Sequence, residues 1–257
     1  MALVLTLSLC AAAFLLNIHG GLGVKIIGGK EAKPHSMPFM VLIKGKYICG
    51  GILIESNWVL TAAHCETDKK TQVFLGVHSI SNKKEEQQKF LIKKRIPHPC
   101  FDRKTRENDL MLLQLTGNAK LNKNVKLHSL PKNGEDIKAG TKCEVAGWGI
   151  TNNKATSGSD KLMHVTITIL DRQMCNDKKH YNCNPDITNN MFCAGDKRGR
   201  KDTCSGDSGG PLLCKGILRG ITSFGHKTCG DPKKPGIYTR LTDTYLSWIK
   251  KTIGGDF

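Results

Sequence analysis

Apolar residues come in short runs along this chain, and Gly, Pro, Asn and Lys break the chain between them. Runs from Phe39 to Ile43, Ile48 to Ile54, Trp58 to Thr61, Gln72 to Leu75, Phe90 to Ile92 and Leu110 to Leu115 predict six strands, many of them rich in β-branched residues. A polar, lysine-rich stretch from about Lys120 to Lys132 follows. Beyond it, runs from Lys142 to Ala146, His164 to Ile169, Met191 to Ala194, Pro211 to Cys214, Leu218 to Ser223 and Gly236 to Tyr238 predict six more. The expected class is all-β. The end of the chain is the exception: Tyr245, Leu246, Ile249 and Ile253 recur at helical spacing, Thr242 or Asp243 can cap the start, and Gly254 can end it. Trp58, Trp148 and Trp248 read as core or domain-contact residues.

The first eighteen residues, Met1 to Ile18, carry no formal charge and are largely apolar, and Gly20, Gly21 and Gly23 follow them. That pattern predicts a signal peptide over residues 1–23, with a signal anchor as the alternative, since the segment is at the minimum length for crossing a bilayer. No other segment is long and apolar enough to span, so no membrane span is expected in the mature chain. Eleven cysteines also indicate an oxidising compartment. No CxxC pair has a matched His or Cys partner, so no zinc site is expected, and no calcium-loop pattern is present. No Asn-x-Ser/Thr acceptor occurs.

The densest chemistry lies between Lys201 and Pro211, in Lys-Asp-Thr-Cys-Ser-Gly-Asp-Ser-Gly-Gly-Pro. A serine hydroxyl is a poor nucleophile near neutral pH and needs a base, itself held by an acceptor. Ser208 is the candidate nucleophile. Thr61-Ala62-Ala63-His64-Cys65 offers the base in His64, and Asp109 offers the acceptor at the head of an apolar strand. Alone, a His before Cys reads as packed and an Asp before a strand as a cap; together with Gly206-Asp207-Ser208-Gly209-Gly210-Pro211 they read as acyl-transfer machinery.

With Ile26-Ile27-Gly28-Gly29, Gly147-Trp148-Gly149 and Lys234-Pro235-Gly236-Ile237-Tyr238 in the same order, the chain from Ile26 onward resembles the trypsin-like serine proteases. Within them it is most similar to the granzymes of the A type. The resemblance implies two antiparallel six-stranded β-barrels, approximately residues 26–125 and 126–257, with a C-terminal α-helix and no cofactor. It implies catalytic roles for His64, Asp109 and Ser208, and an oxyanion hole from the N–H groups of Gly206 and Ser208. Asp202, six residues before Ser208, matches the base of the primary specificity pocket and implies cleavage after Lys or Arg. Thr203 lies beside it, and Ser223, Gly225 and Gly236 match positions along its wall and the substrate backbone. Activation is implied by residues 24–25 as propeptide: cleavage after Lys25 frees the Ile26 amine, which pairs with Asp207. Either a trypsin-like protease or a dipeptide-removing enzyme could make that terminus.

The implied disulfides are Cys49–Cys65, Cys143–Cys214, Cys175–Cys193 and Cys204–Cys229. Cys100 sits where A-type granzymes carry the thiol that joins two protomers, implying a homodimer. Cys183 departs from that pattern, and a bridge from Cys100 to Cys183 is the alternative. Thirty-nine Lys and Arg against twenty-two Asp and Glu give a net charge of +17. Such an excess predicts a polyanion partner, sulfated proteoglycan before nucleic acid, while no recognition helix or aromatic RNA motif supports sequence-specific nucleic-acid binding. The resulting expectation is a secreted, granule-stored cytolytic endopeptidase acting on proteins at Lys or Arg. The alternatives are another secreted tryptic protease or, from a different class, a catalytically silent heparin-binding or antimicrobial relative.

Overall fold

A computed structural model describes residues 26–82 and 84–254. The expected signal peptide, and the propeptide with Lys25, lie outside the described residues. A two-residue strand, β1 (Lys30–Glu31), precedes six strands that close into a barrel: β2 (Met40–Lys44), β3 (Ile48–Glu55), β4 (Trp58–Thr61), β5 (Gln72–Leu75), β6 (Gln88–Pro97) and β7 (Met111–Leu115). Their order around it is β2-β3-β4-β7-β6-β5, all antiparallel. The second barrel holds β8 (Lys142–Gly147), β9 (Met163–Ile169), β10 (Met191–Gly195), β11 (Pro211–Cys214), β12 (Ile217–Phe224) and β13 (Gly236–Arg240). Its ring runs β8-β9-β10-β13-β12-β11 and closes where β8 pairs with β9. The expected pair of six-stranded antiparallel barrels is what the chain forms.

Strand chemistry follows position. In β4 all four residues are buried between β3 and β7, so Trp-Val-Leu-Thr shows no alternation. Strand β6 alternates exposed and half-buried residues, and its lysines face water, which is why only Phe90 to Ile92 read as a strand. Leu53, Leu60, Leu75 and Leu112 fill the first barrel; Val145, Ile167, Phe192 and Tyr238 fill the second. Between the barrels, fully buried Trp148 packs with Met40, Leu42 and Leu162 and donates its indole N–H to the His78 carbonyl at 3.2 Å.

Two helices occur among the described residues. The C-terminal one, α2 (Asp243–Gly254), matches the helical spacing in the sequence. The other, α1 (Arg172–Asn176), is five residues long and capped by the Asp171 side chain, and it carries no periodic apolar signal. The chain ends cross over. β1 pairs Lys30 with His164 of β9, on the second barrel, whereas α2 seats Tyr245, Leu246 and Ile249 in the core that fills the first. His98, just after β6, meets Tyr245 and Trp248 edge-on.

Candidate active site

Four disulfides form: Cys49–Cys65, Cys143–Cys214 between β8 and β11, Cys175–Cys193 between α1 and β10, and Cys204–Cys229. They are the four expected pairs. The first ties β3 to the loop after β4 that carries His64, and the last ties the Ser208 loop to the segment after β12. Cys100 and Cys183 are both exposed and free, so the alternative bridge between them is not formed.

Asp109 ends up wholly buried between the barrels. Its Oδ1 accepts the His64 backbone N–H at 2.9 Å, and its Oδ2 lies 2.7 Å from His64 Nδ1. Ser223 on β12 donates its hydroxyl to the same Oδ2. Burial alone would raise this carboxyl; the His64 hydrogen bond and charge, joined by Ser223, more than reverse that and hold it below the ordinary 3.8. The proton that His64 shares with Asp109 sits on Nδ1, which leaves Nε2 as the ring's acceptor. His64 and Ser208 line one cavity of about 510 Å³.

Ser208 is fixed by backbone contacts from both barrels. The Gly50 N–H on β3 donates to the Ser208 carbonyl at 2.7 Å, and the Gly209 N–H donates to the Thr222 carbonyl on β12 at 2.8 Å. Gly206 has φ +101°, a conformation closed to most side chains, and a Cβ there would fall 2.8 Å from the Gly149 Cα. The fully buried Asp207 accepts from the Gly149 N–H at 2.8 Å and the Cys204 N–H at 2.9 Å. Burial lifts its carboxyl to about 7 despite those bonds, and the Asp202 charge adds to the rise. No cation pairs with Asp207 among the described residues. Ile26 is fully buried in the second core, and the Asp202 N–H donates to the Ile27 carbonyl at 3.1 Å, so residues 26–27 lie against this loop.

Asp202 is 4% exposed and accepts the N–H groups of Thr203 and Gly230, each at 2.8 Å. Burial pushes it up to about 6. A Cβ on Gly236 would sit 3.0 Å from Asp202 Oδ1, and one on Gly225 would sit 3.8 Å from the Gly236 Cα. Any larger residue at Gly236 would therefore crowd the carboxylate. Thr203 Oγ1 bonds to the Tyr238 hydroxyl at 2.9 Å. A cavity of about 180 Å³, lined by Thr203, Ser205, Ser208, Ser223 and Gly225 among others, opens beside these groups. A larger cavity, about 830 Å³ around α1, is lined by none of the expected catalytic or specificity residues.

Gly230, Tyr238 and Gly50 were not singled out from sequence as holders of Asp202, Thr203 and Ser208. Two carried a signal: Gly230 follows Cys229, and Tyr238 closes the Lys234–Tyr238 motif. Gly50 carried none, because its contact with Ser208 exists only once β3 meets the second barrel.

Known proteins show the same relationship. A family model described as Trypsin matches residues 26–249. Granzyme A of Bos taurus is 53% identical over 230 residues, covering 90% of this chain and 88% of that protein. Kallikrein-8 of Homo sapiens is 44% identical over 90% of this chain and 87% of that protein, and mast cell protease 3 of Ovis aries is 42% identical over 93% of each.

Proposed function

Because this chain belongs to the trypsin family and is a serine endopeptidase, we propose that it cuts proteins after Lys or Arg through an acyl-enzyme formed on Ser208. One observation supports the specificity: a buried carboxylate, Asp202, next to Gly236, where a Cβ would fall 3.0 Å from Asp202 Oδ1. A cationic side chain entering there gains an ion pair screened little by water.

His64 takes the Ser208 proton as the hydroxyl attacks the scissile carbonyl, and returns it to the departing amine. Asp109 stabilises the imidazolium formed between those steps. The tetrahedral oxyanion receives the N–H groups of Gly206 and Ser208. Asp207 holds that loop once cleavage after Lys25 frees the Ile26 amine, which supplies the cation that the buried carboxyl lacks in the uncleaved chain. Residues 1–23 act as the leader and residues 24–25 as the propeptide, giving a secreted domain from Ile26.

The likeness to granzyme A, the four disulfides and the charge of +17 support storage in a secretory granule on sulfated proteoglycan. The exposed free thiol of Cys100 supports a disulfide-linked homodimer. Labelling with a fluorophosphonate, followed by reporters carrying Arg, Lys, Phe or Asp before the cleaved bond, tests the central reading. Labelling with turnover of Arg and Lys is the expected result; absence of labelling favours the catalytically silent relative, and preference for Phe or Asp rejects the role of Asp202.

A further inference from the structure

Ser208 lies between two cavities, and only one is accounted for by a Lys or Arg side chain. On the proposed reading, the 180 Å³ cavity lined by Thr203, Ser208 and Gly225 takes the residue whose carbonyl is attacked. The other, about 510 Å³, is also lined by His64, Gly206, Lys46, Tyr47 and Glu66. The departing amine must pass His64 to collect its proton, and His64 lines only this second cavity. It is therefore the side on which the leaving part of the substrate lies.

Its wall is a hairpin tip between β2 and β3. Tyr47 is 65% exposed, unusual for so large an aromatic, and the Lys46 ammonium stands 5.2 Å from its ring centroid. That stacking steadies the charge at the rim. A Cβ at Gly45 would lie 3.1 Å from Thr71 Oγ1 and 3.3 Å from the Glu66 carbonyl, so the tip leans on the loop that carries exposed Lys69 and Lys70. Lys44 is exposed at the end of β2.

The opposing charges are few and engaged. Glu66, the one carboxylate lining the cavity, lies 3.4 Å from Arg103. Asp68 is tied to its own loop, accepting from the Lys70 N–H and the Thr71 hydroxyl, each at 2.9 Å. Lys44, Lys46, Lys69 and Lys70 outnumber the carboxylates of Glu66 and Asp68 on this side.

Resting on the proposed acyl-enzyme reading, we infer that Lys46 and Tyr47, backed by Lys69 and Lys70, form a leaving-side subsite that selects acidic residues just after the cleaved bond. Asp or Glu at the second and third positions meets the ammonium groups, and Tyr47 packs against the aliphatic part of the departing segment. Exposed ion pairs are individually weak, so the discrimination is moderate, about tenfold between acidic and basic leaving segments, and it shrinks in high salt.

The test uses the activated enzyme and three internally quenched peptides, alike except for Asp-Asp, Ala-Ala or Lys-Lys at those two positions after an Arg. In the unmodified enzyme kcat/KM should rank Asp-Asp, Ala-Ala, Lys-Lys. Lys46→Glu should reverse the order and Lys46→Gln should flatten it, each ratio being taken within one enzyme preparation whose serine reacts with fluorophosphonate. Equal rates for the three peptides in the unmodified enzyme overturn the inference, as does an unchanged ranking in both variants. A short Arg amide with only a chromophore as leaving group separates the two levels. Failure to cleave it sinks the underlying Lys/Arg reading; cleavage of it with equal peptide rates sinks the subsite alone.

Discussion

The backbone N–H of Gly149 donates to Asp207 Oδ1 at 2.8 Å, and a Cβ added at Gly149 would fall 2.5 Å from the carboxylate carbon. The same glycine lies 2.8 Å from where a Cβ on Gly206 would stand. Any side chain at 149 therefore pushes on the segment that presents the proposed oxyanion donors. Gly149→Ala should lower kcat by about a hundredfold or more, the cost of displacing one such donor, with a smaller change in KM. Steady-state kinetics on an Arg amide checks it.

Asp207 should make the uncleaved chain sensitive to pH. A carboxyl lifted from 3.8 to about 7 binds its proton more tightly folded than unfolded, so its contribution to stability is present below about 4 and is lost as pH rises through 7. In a Lys25→Gln chain, which resists cleavage, the melting temperature should fall across that window, and Asp207→Asn should remove the fall. After normal cleavage, Asp207→Asn should instead leave a folded, nearly inactive protein.

The proposed Lys/Arg pocket should lose the Asp202 charge on mild acidification. With Asp202 lifted to about 6, the carboxylate is present above that pH and neutral below it. Binding of benzamidine, a permanent cation in this range, should weaken about tenfold per pH unit below 6 and level off above it. Asp202→Asn should bind weakly at every pH, and calorimetric titration distinguishes the two profiles.

Ser223 donates its hydroxyl to Asp109 and lines the cavity beside Ser208. Removing its hydroxyl in Ser223→Ala deletes one of three side-chain and backbone donors to a fully buried carboxylate. Because the folded carboxyl sits below 3.8, its stabilising contribution exists above that value and is lost as pH falls further. The variant should begin acid unfolding at a higher pH and show kcat/KM reduced about tenfold, within the range for losing one hydrogen bond to a charge.

Cys100 and Cys183 offer two exposed thiols per chain. On non-reducing gels the mature protein should run as a dimer, and Cys100→Ser should abolish that species while Cys183→Ser retains it. A monomer in both lanes for the unmodified chain removes the dimer.

Much of this was legible because the relevant residues are neighbours in sequence. The segment from Asp202 to Pro211 carries the proposed nucleophile, both proposed oxyanion donors, the proposed activation partner and the proposed charge reader within ten residues. β4 and α2 announced themselves by an unbroken apolar run and by helical spacing. What stayed hidden was set by distant partners or by length. Lys30–Glu31 has no apolar signal and becomes a strand only against Met163 and His164. Arg172–Asn176 is too short for periodicity to register. The flanks of β6 are largely polar and basic, and become strand through pairing with β5 and β7. Ser223 and Asp109, 114 residues apart, meet only after both barrels close.

The crossed chain ends reverse the usual order of vulnerability. Termini are normally the safest places to trim and linkers the ones that hold halves together. Here β1 pairs with the second barrel, and α2 packs into the core of the first. A nick between residues 116 and 141 leaves two interlocked fragments that still meet at Asp109 and Ser223. Shaving off α2, by contrast, uncovers the core of a barrel whose last strand ended more than a hundred residues earlier.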